Sequence, residues 1–212
     1  MSLRTLLVIG LLAGIAGWWF SDHRRGPRAP AAAVAMPDCP LPPHVAAGDP
    51  PLQSELPAGM APFALRAATL TPLAGFSVQA RVLSREDYRH GRESDLSPTD
   101  LALGWQRMAE DAAVGALDIR QSSRWYRYRW SGQPPLPPEE IVRSSANMHM
   151  IPGSDAVAAA LAGVRKDERV RIDGWLVEAK ADDGWRWRSS LSRNDTGSGA
   201  CEVVYVCGIT RL

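Results

Sequence analysis

Hydrophobic and polar residues alternate with period two along several stretches of this chain, and that period predicts β-strands. In "LAGFSVQARVLS", Phe76, Val78, Ala80 and Val82 share one face, and Ser77, Gln79 and Arg81 share the other. "RVRIDGWLVEAK" gathers Val170, Ile172 and Leu176 on one side, and "CEVVYVCGIT" aligns Cys201, Val203, Tyr205 and Cys207. Between them, "ADDG" reads as a hairpin turn, and "WRWRSS" as a returning strand with Trp185 and Trp187 opposite Arg186 and Arg188. "IRQSSRWYRYRWSG" reads as one strand, with Arg124, Tyr126, Tyr128 and Trp130 on one face and Trp125, Arg127 and Arg129 on the other. "SSANMHMIP" is expected to be extended, with Met148 and Met150 pointing away from His149.

Helical spacing occurs twice in the same region. "LSPTDLALGWQRMAEDA" offers Ser97 as N-cap, Pro98 at the first position and Asp100 near the third, with Leu101, Trp105 and Met108 on one face. This pattern predicts a helix. Ser154 or Gly153 caps a second, short helix carrying Val157, Leu161 and Val164. The order of elements predicts an α+β domain over residues 63–212. Its expected form is a mainly antiparallel sheet or small, partly open, OB-like barrel with two short helices.

The N-terminal third has a different texture. "TLLVIGLLAGIAGWWF", residues 5–20, is uncharged and follows Arg4. It is short against the roughly 20 residues of a typical span, but Trp18, Trp19 and Phe20 extend it into an interfacial belt. The nearest A-x-A signature, Ala33-Val34-Ala35, lies too far downstream for signal cleavage. The expectation is an uncleaved, signal-anchor-like transmembrane helix over residues 1–22. Arg24, Arg25 and Arg28 lean towards a cytoplasmic domain, whereas the very short leading tail resembles an export signal. A single-pass protein of the cell (inner) membrane, with its domain on the extracytoplasmic side, is the resulting reading. Residues 23–62 are rich in Pro and Ala and predict a semi-rigid linker, with Cys39 and His44 exposed to solvent.

A net charge of +1 supplies no strong field for nucleic acid or acidic substrates. Three cysteines cannot close a disulfide set within one chain. Cys201 and Cys207 would stand about 20 Å apart along one strand, too far to pair with each other. Each is left to pair with Cys39 or another chain, or to act as a small buried apolar residue.

Candidate chemistry concentrates near the C-terminus. Asp195-Thr196-Gly197-Ser198 spells an aspartic protease signature, but polar residues precede it and the chain holds no second copy. Asn194, Asp195, Gly197 and Gly199 instead suit a loop with left-handed positions. Met148-His149-Met150 resembles a fragment of a soft-metal site without further ligands, so Met packing is the default. His90 reads as a surface loop residue. A binding face is expected from Trp125, Arg127, Asn147, His149, Trp187, Arg188, Ser189, Arg193 and Asp195, with no catalytic residue, metal or cofactor. Two alternatives remain: an enzyme using the His149, Asp195 and Cys201 region, and a single-stranded nucleic-acid binder stacking bases on its arginine-interleaved aromatics. The expected partners are the membrane, through residues 5–20, and another envelope protein, a glycan or a lipid headgroup.

The stretches "FSVQARVLSREDYRHGRESDLSPTDLALGW", "SANMHMIP" and "GWRWRSSLSRNDTGSGACEVVYV" together resemble a family of uncharacterised bacterial proteins with an N-terminal membrane segment. The resemblance covers roughly residues 70 to 210. The family pattern carries a glycine where Gln106 stands and a serine-aspartate pair where Ala109-Glu110 stands. It implies no activity, cofactor or catalytic residue.

Overall fold

The computed structural model describes residues 3–19, 28–30, 39–197 and 199–212. Its centre is a ring-like sheet in a mixed α+β arrangement. The strands are β1 (Leu52–Ser54), β2 (Phe63–Ala64), β3 (Thr69–Asp87), β4 (Thr99–Gly104), β5 (Asp118–Ser122), β6 (Trp125–Arg129), β7 (Ser145–Pro152), β8 (Arg169–Lys180), β9 (Arg186–Arg188) and β10 (Glu202–Arg211). The α-helices are α1 (Leu3–Trp19), α2 (Asp111–Gly115), α3 (Pro138–Arg143) and α4 (Asp155–Gly163).

Neighbouring strands run β3-β4-β7-β10-β8, and β8 returns to pair with β3, which closes the ring. All pairings in the ring are antiparallel except β7 with β10, which run parallel from Glu202↔Met148 to Val206↔Pro152. Closure depends on the length of β3. Its first part pairs with β8, from Thr69↔Lys180 to Arg81↔Arg169, and its last part pairs with β4, from Arg81↔Gly104 to Asp87↔Thr99. Register shifts between Pro72 and Ala74 and between Val82 and Ser84 mark the bends that let one strand serve both neighbours. The alternation in β3, β8 and β10 then fills the ring: Phe76, Val78, Ala80, Val82, Val170, Ile172, Leu176, Val204 and Val206 are buried in one core. Helix α4 closes one end, where Ser154 Oγ accepts the Val157 N–H and Val157, Leu161 and Val164 join the core.

The helix expected within residues 96–112 is not formed. Thr99–Gly104 is a fully buried strand, followed by a 3-10 turn at Gln106–Ala109 and the five-residue α2. Strand pairing on both sides, with β3 and β7, outweighs the local capping signal. The C-terminal part is not a meander either, since β10 inserts between β7 and β8 and the three-residue β9 pairs with β8 at the edge.

The segment expected to be a linker is packed from Cys39 onward. Cys39 and Cys207 form a disulfide with Cα atoms 5.4 Å apart. Trp175 Nε1 donates to Pro40 O at 2.9 Å, Val45 N donates to Ser77 Oγ at 2.9 Å, and β1 pairs with β3. Leu56, Met60 and Phe63 cover an outer core containing Leu70, Trp175, Val177, Val203 and Tyr205. His44 stays half-exposed, 3.8 Å from Asp173. Helix α1 has 17 residues, about 25 Å of helix, and Leu6, Leu7, Leu11 and Leu12 on it are exposed. No helix among the described residues is long and apolar enough to cross a membrane. Phe20, Arg24, Arg25 and Ala33–Ala35 lie outside the described residues.

Candidate functional site

The connection from β4 to β7 carries a hairpin, β5 with β6, that belongs to a separate two-stranded sheet. The single strand expected over residues 119–130 is therefore two strands, paired from Asp118↔Arg129 to Ser122↔Trp125. Its turn residues Ser123 and Arg124 have φ of 52° and 66°. Two left-handed positions make the tight turn that favours Asn-Gly, and a non-glycine residue there costs about 1 kcal/mol or more.

Arg124 offsets that cost through its contacts. Its Nη1 donates to Asp100 Oδ1 at 2.7 Å, its backbone N–H donates to Tyr88 Oη at 2.8 Å, and its guanidinium lies 3.8 Å above the Tyr88 ring. Its carbonyl accepts from Asn147 Nδ2 at 3.0 Å. The hairpin tip is thus plugged into the outer face of β4 and β7. The pairing Asp100↔His149 brings their side chains together there, while Leu101, Leu103, Met148 and Met150 point into the ring.

Asp100 is fully buried and has three polar neighbours: Arg124, Asn147 Nδ2 at 3.3 Å, and His149 Nδ1 at 2.9 Å. The His149 contact is close but not aligned as a hydrogen bond. The imidazole packs against Trp187, ring centroids 4.7 Å apart. Asn147 is also held by Gln121 Nε2, which donates to its Oδ1 at 2.6 Å.

The loop between β9 and β10 forms the other side. Ser190 Oγ donates to Asp195 Oδ2 at 2.6 Å and accepts from Ser192 N at 2.9 Å, while Gly197 and Gly199 take φ of 88° and 87°. These bonds are those of a folded polar loop. Arg193 Nε lies 3.0 Å from Oε1 of the buried Glu202, which points the same way along β10 as the core residues Val204 and Val206. Burial pushes the Glu202 carboxyl up to about 8, against the opposing pull of Arg193. Burial also pushes the Cys201 thiol up to about 11, with the Glu202 charge acting in the same direction. A reactive cysteine needs the opposite shift, so Cys201 is not activated as a nucleophile.

Between hairpin, β7 and loop lies a cavity of about 220 Å³, walled by Trp125, Tyr126, Tyr128, Asn147, Asp195 and Cys201. Of the residues expected to bind, Trp125, Asn147 and Asp195 meet in it. His149 and Trp187 pack on each other and do not line it. Ser189 is structural: its Oγ accepts from Val203 N at 3.1 Å and donates to Ser190 O at 2.8 Å. Arg193 is occupied by Glu202. Arg188 sits 3.5 Å from Glu178 on the β8–β9 surface, and Arg127 faces outward and donates to Ser122 Oγ at 3.3 Å. Neither Arg188 nor Arg127 joins the cavity.

Sequence reasoning missed Asp100, Tyr88, Arg124 and Glu202 as members of this cluster. The period-two alternation of Asp100 and Ala102 against Leu101 and Leu103 was the available signal. Among the described residues, no group of three or more His, Cys, Asp or Glu could hold a metal. In comparisons with known proteins, the chain matches no family model, no curated protein and no solved structure.

Proposed function

We propose that this chain is a membrane-tethered, non-catalytic binding domain built on an OB-like barrel, and that its ligand seat is the cavity between β6, β7 and the β9–β10 loop. One observation carries the reading: a concave, partly aromatic site lies against β7, between the β5–β6 hairpin and the β9–β10 loop, two long connections of the ring. OB-like barrels bind ligands on the corresponding face and loops. The ring's connectivity, with its one parallel pair and a helix between β7 and β8, supports the OB-like description.

The exposed apolar side chains of α1 and the resemblance to bacterial proteins with a membrane segment support the tether. The Cys39–Cys207 disulfide favours an oxidising compartment and hence the extracytoplasmic side, where an envelope protein, glycan or lipid headgroup would be met. Tyr126 and Tyr128 face away from Arg127 and Arg129, so Trp125 is the one ring of β6 on the arginine face, which weighs against a stacking platform for nucleic acid. Cys201 and Asp195 share the cavity, but the raised thiol and the separate seating of His149 weigh against the enzyme reading.

The test has two arms. A reporter fused at the C-terminus reads the side of the membrane. The detergent-purified full chain is screened by thermal shift against glycans, headgroups and envelope extracts. The proposal expects an extracytoplasmic reporter and a stabilising ligand whose effect Trp125→Ala abolishes. A cytoplasmic reporter refutes the placement, and ligand effects indifferent to Trp125→Ala refute the seat.

A further inference from the structure

The cavity under the β5–β6 hairpin is lined by a carboxylate and by no basic side chain. Among the described residues, Asp195 accepts a hydrogen bond from Ser190 Oγ and forms no ion pair. The arginines nearby are committed elsewhere. Arg124 is bound to Asp100 at 2.7 Å, and Arg193 faces Glu202 at 3.0 Å and the carbonyls of Ser190 and Ser192. Asp195 is thus an exposed carboxylate at the cavity's edge with no basic side chain paired to it.

The facing wall consists of aromatic rings. Tyr126 and Tyr128 have centroids 5.4 Å apart with planes at 45°, and Trp125, which alternates with them along β6, also lines the cavity. Burial moves the ionisation of both phenols to higher pH, so the rings stay neutral. Neutral aromatic faces carry the negative part of the ring quadrupole. Rings and carboxylate together attract a cation and repel phosphate or carboxylate. A neutral sugar could stack on the rings but would draw nothing from the Asp195 charge. At about 220 Å³ the cavity suits a headgroup-sized ligand.

We infer that this cavity takes a small organic cation, an ammonium or quaternary ammonium group seated between the rings of Trp125, Tyr126 and Tyr128 and the Asp195 carboxylate. The inference rests on the binding-domain reading above and adds the ligand's charge. Arg124 acts here as a positioning residue, because its contacts with Asp100 and Asn147 hold the aromatic strand over the cavity.

Choline and its neutral isostere 3,3-dimethylbutanol are the probes, titrated calorimetrically into the full chain in lipid discs. Choline is expected to bind about tenfold or more tightly than the isostere, the range of a cation–ring interaction joined to a carboxylate. Asp195→Asn and Trp125→Ala, both at exposed positions, are each expected to weaken choline several-fold without changing the far-ultraviolet circular dichroism. Discs of phosphatidylglycerol and of phosphatidylcholine separate the sources. Equal choline affinity in both points to a free cation, and weaker apparent affinity in phosphatidylcholine points to a lipid headgroup; either supports the inference. Equal binding of choline and isostere, or choline binding indifferent to both substitutions, overturns it. A neutral glycan that binds in a Trp125-dependent way while choline does not overturns the cation and leaves the binding domain standing. No Trp125-dependent ligand of any kind removes both.

Discussion

Replacing Arg124 by alanine removes the plug that fixes the hairpin. The variant loses the 2.7 Å bond to an Asp100 carboxylate that is fully buried, and a guanidinium 3.8 Å above the Tyr88 ring. Leaving a buried charge without its partner costs about 3–5 kcal/mol, and the ring contact adds about 1 kcal/mol. Asn147 Nδ2, 3.3 Å from the Asp100 carboxylate, remains as a partner, so the lower end of that range is expected, about 4 kcal/mol in all. Glycine at the same position separates side-chain loss from backbone strain. With φ at 66°, Arg124→Gly should recover about 1 kcal/mol relative to Arg124→Ala. The assay is urea unfolding of the detergent-solubilised chain, combined with hydrogen exchange at residues 118–129. A cycle with Asp100→Asn should show a coupling of about 2 kcal/mol, because residues in one buried network do not act additively. A coupling near zero, or a cost for Arg124→Ala below about 1 kcal/mol, would refute the plug.

Three further outcomes are expected. Reducing the Cys39–Cys207 bridge, which spans 168 residues of chain, should lower stability by up to about 5 kcal/mol by the loop-entropy relation, and unchanged urea midpoints with and without reductant would contradict it. The Glu202 carboxyl is raised in the folded state from 4.5 to about 8, so the folded state binds the extra proton and stability should fall as pH climbs through that window, at up to about 1.4 kcal/mol per unit. Glu202→Gln should flatten that slope; an equal slope in both proteins assigns it to another group. Gln106 has φ of 50°, a left-handed position that favours glycine, and Gln106→Gly should raise the unfolding free energy by roughly 0.5–1 kcal/mol, while a loss would show the strain is absent.

The elements read correctly from sequence were those whose burial alternates along an uninterrupted strand or whose cap is local. Strands β3, β7, β8 and β10 and the Ser154-capped α4 are of this kind. β4 failed because Ser97-Pro98-Thr99-Asp100 imitates a helix start, whereas the deciding contacts come from β3 and β7, far along the chain. Asp100 is recruited by Arg124 instead of by a helix terminus. The turn at Ser123 and Arg124 carried no Asn-Gly signal because contacts across the β4–β7 face, not local preference, hold its backbone. The Pro-rich segment looked unable to fold because its anchors are sparse and their partners distant in sequence: Val45 is tied to Ser77, and Leu56 and Met60 pack on the outer core of Trp175 and Tyr205. Trp125, Asn147 and Asp195 were singled out as binding residues, but their meeting in one cavity depends on three connections converging, which spacing does not reveal.

The covalent tie between Cys39 and Cys207 also sets how the molecule carries mechanical load. Once the single hydrogen bond from Ala29 N to Asp155 Oδ1 gives way, a pull on the residues ahead of Cys39 enters the protein at β10, a strand lying between β7 and β8, and bypasses residues 40–62. The outer wrap stays slack under such tension and cannot be peeled away from its free end. With the sulfurs reduced, the same pull would strip the wrap first and bare Trp175 and Tyr205.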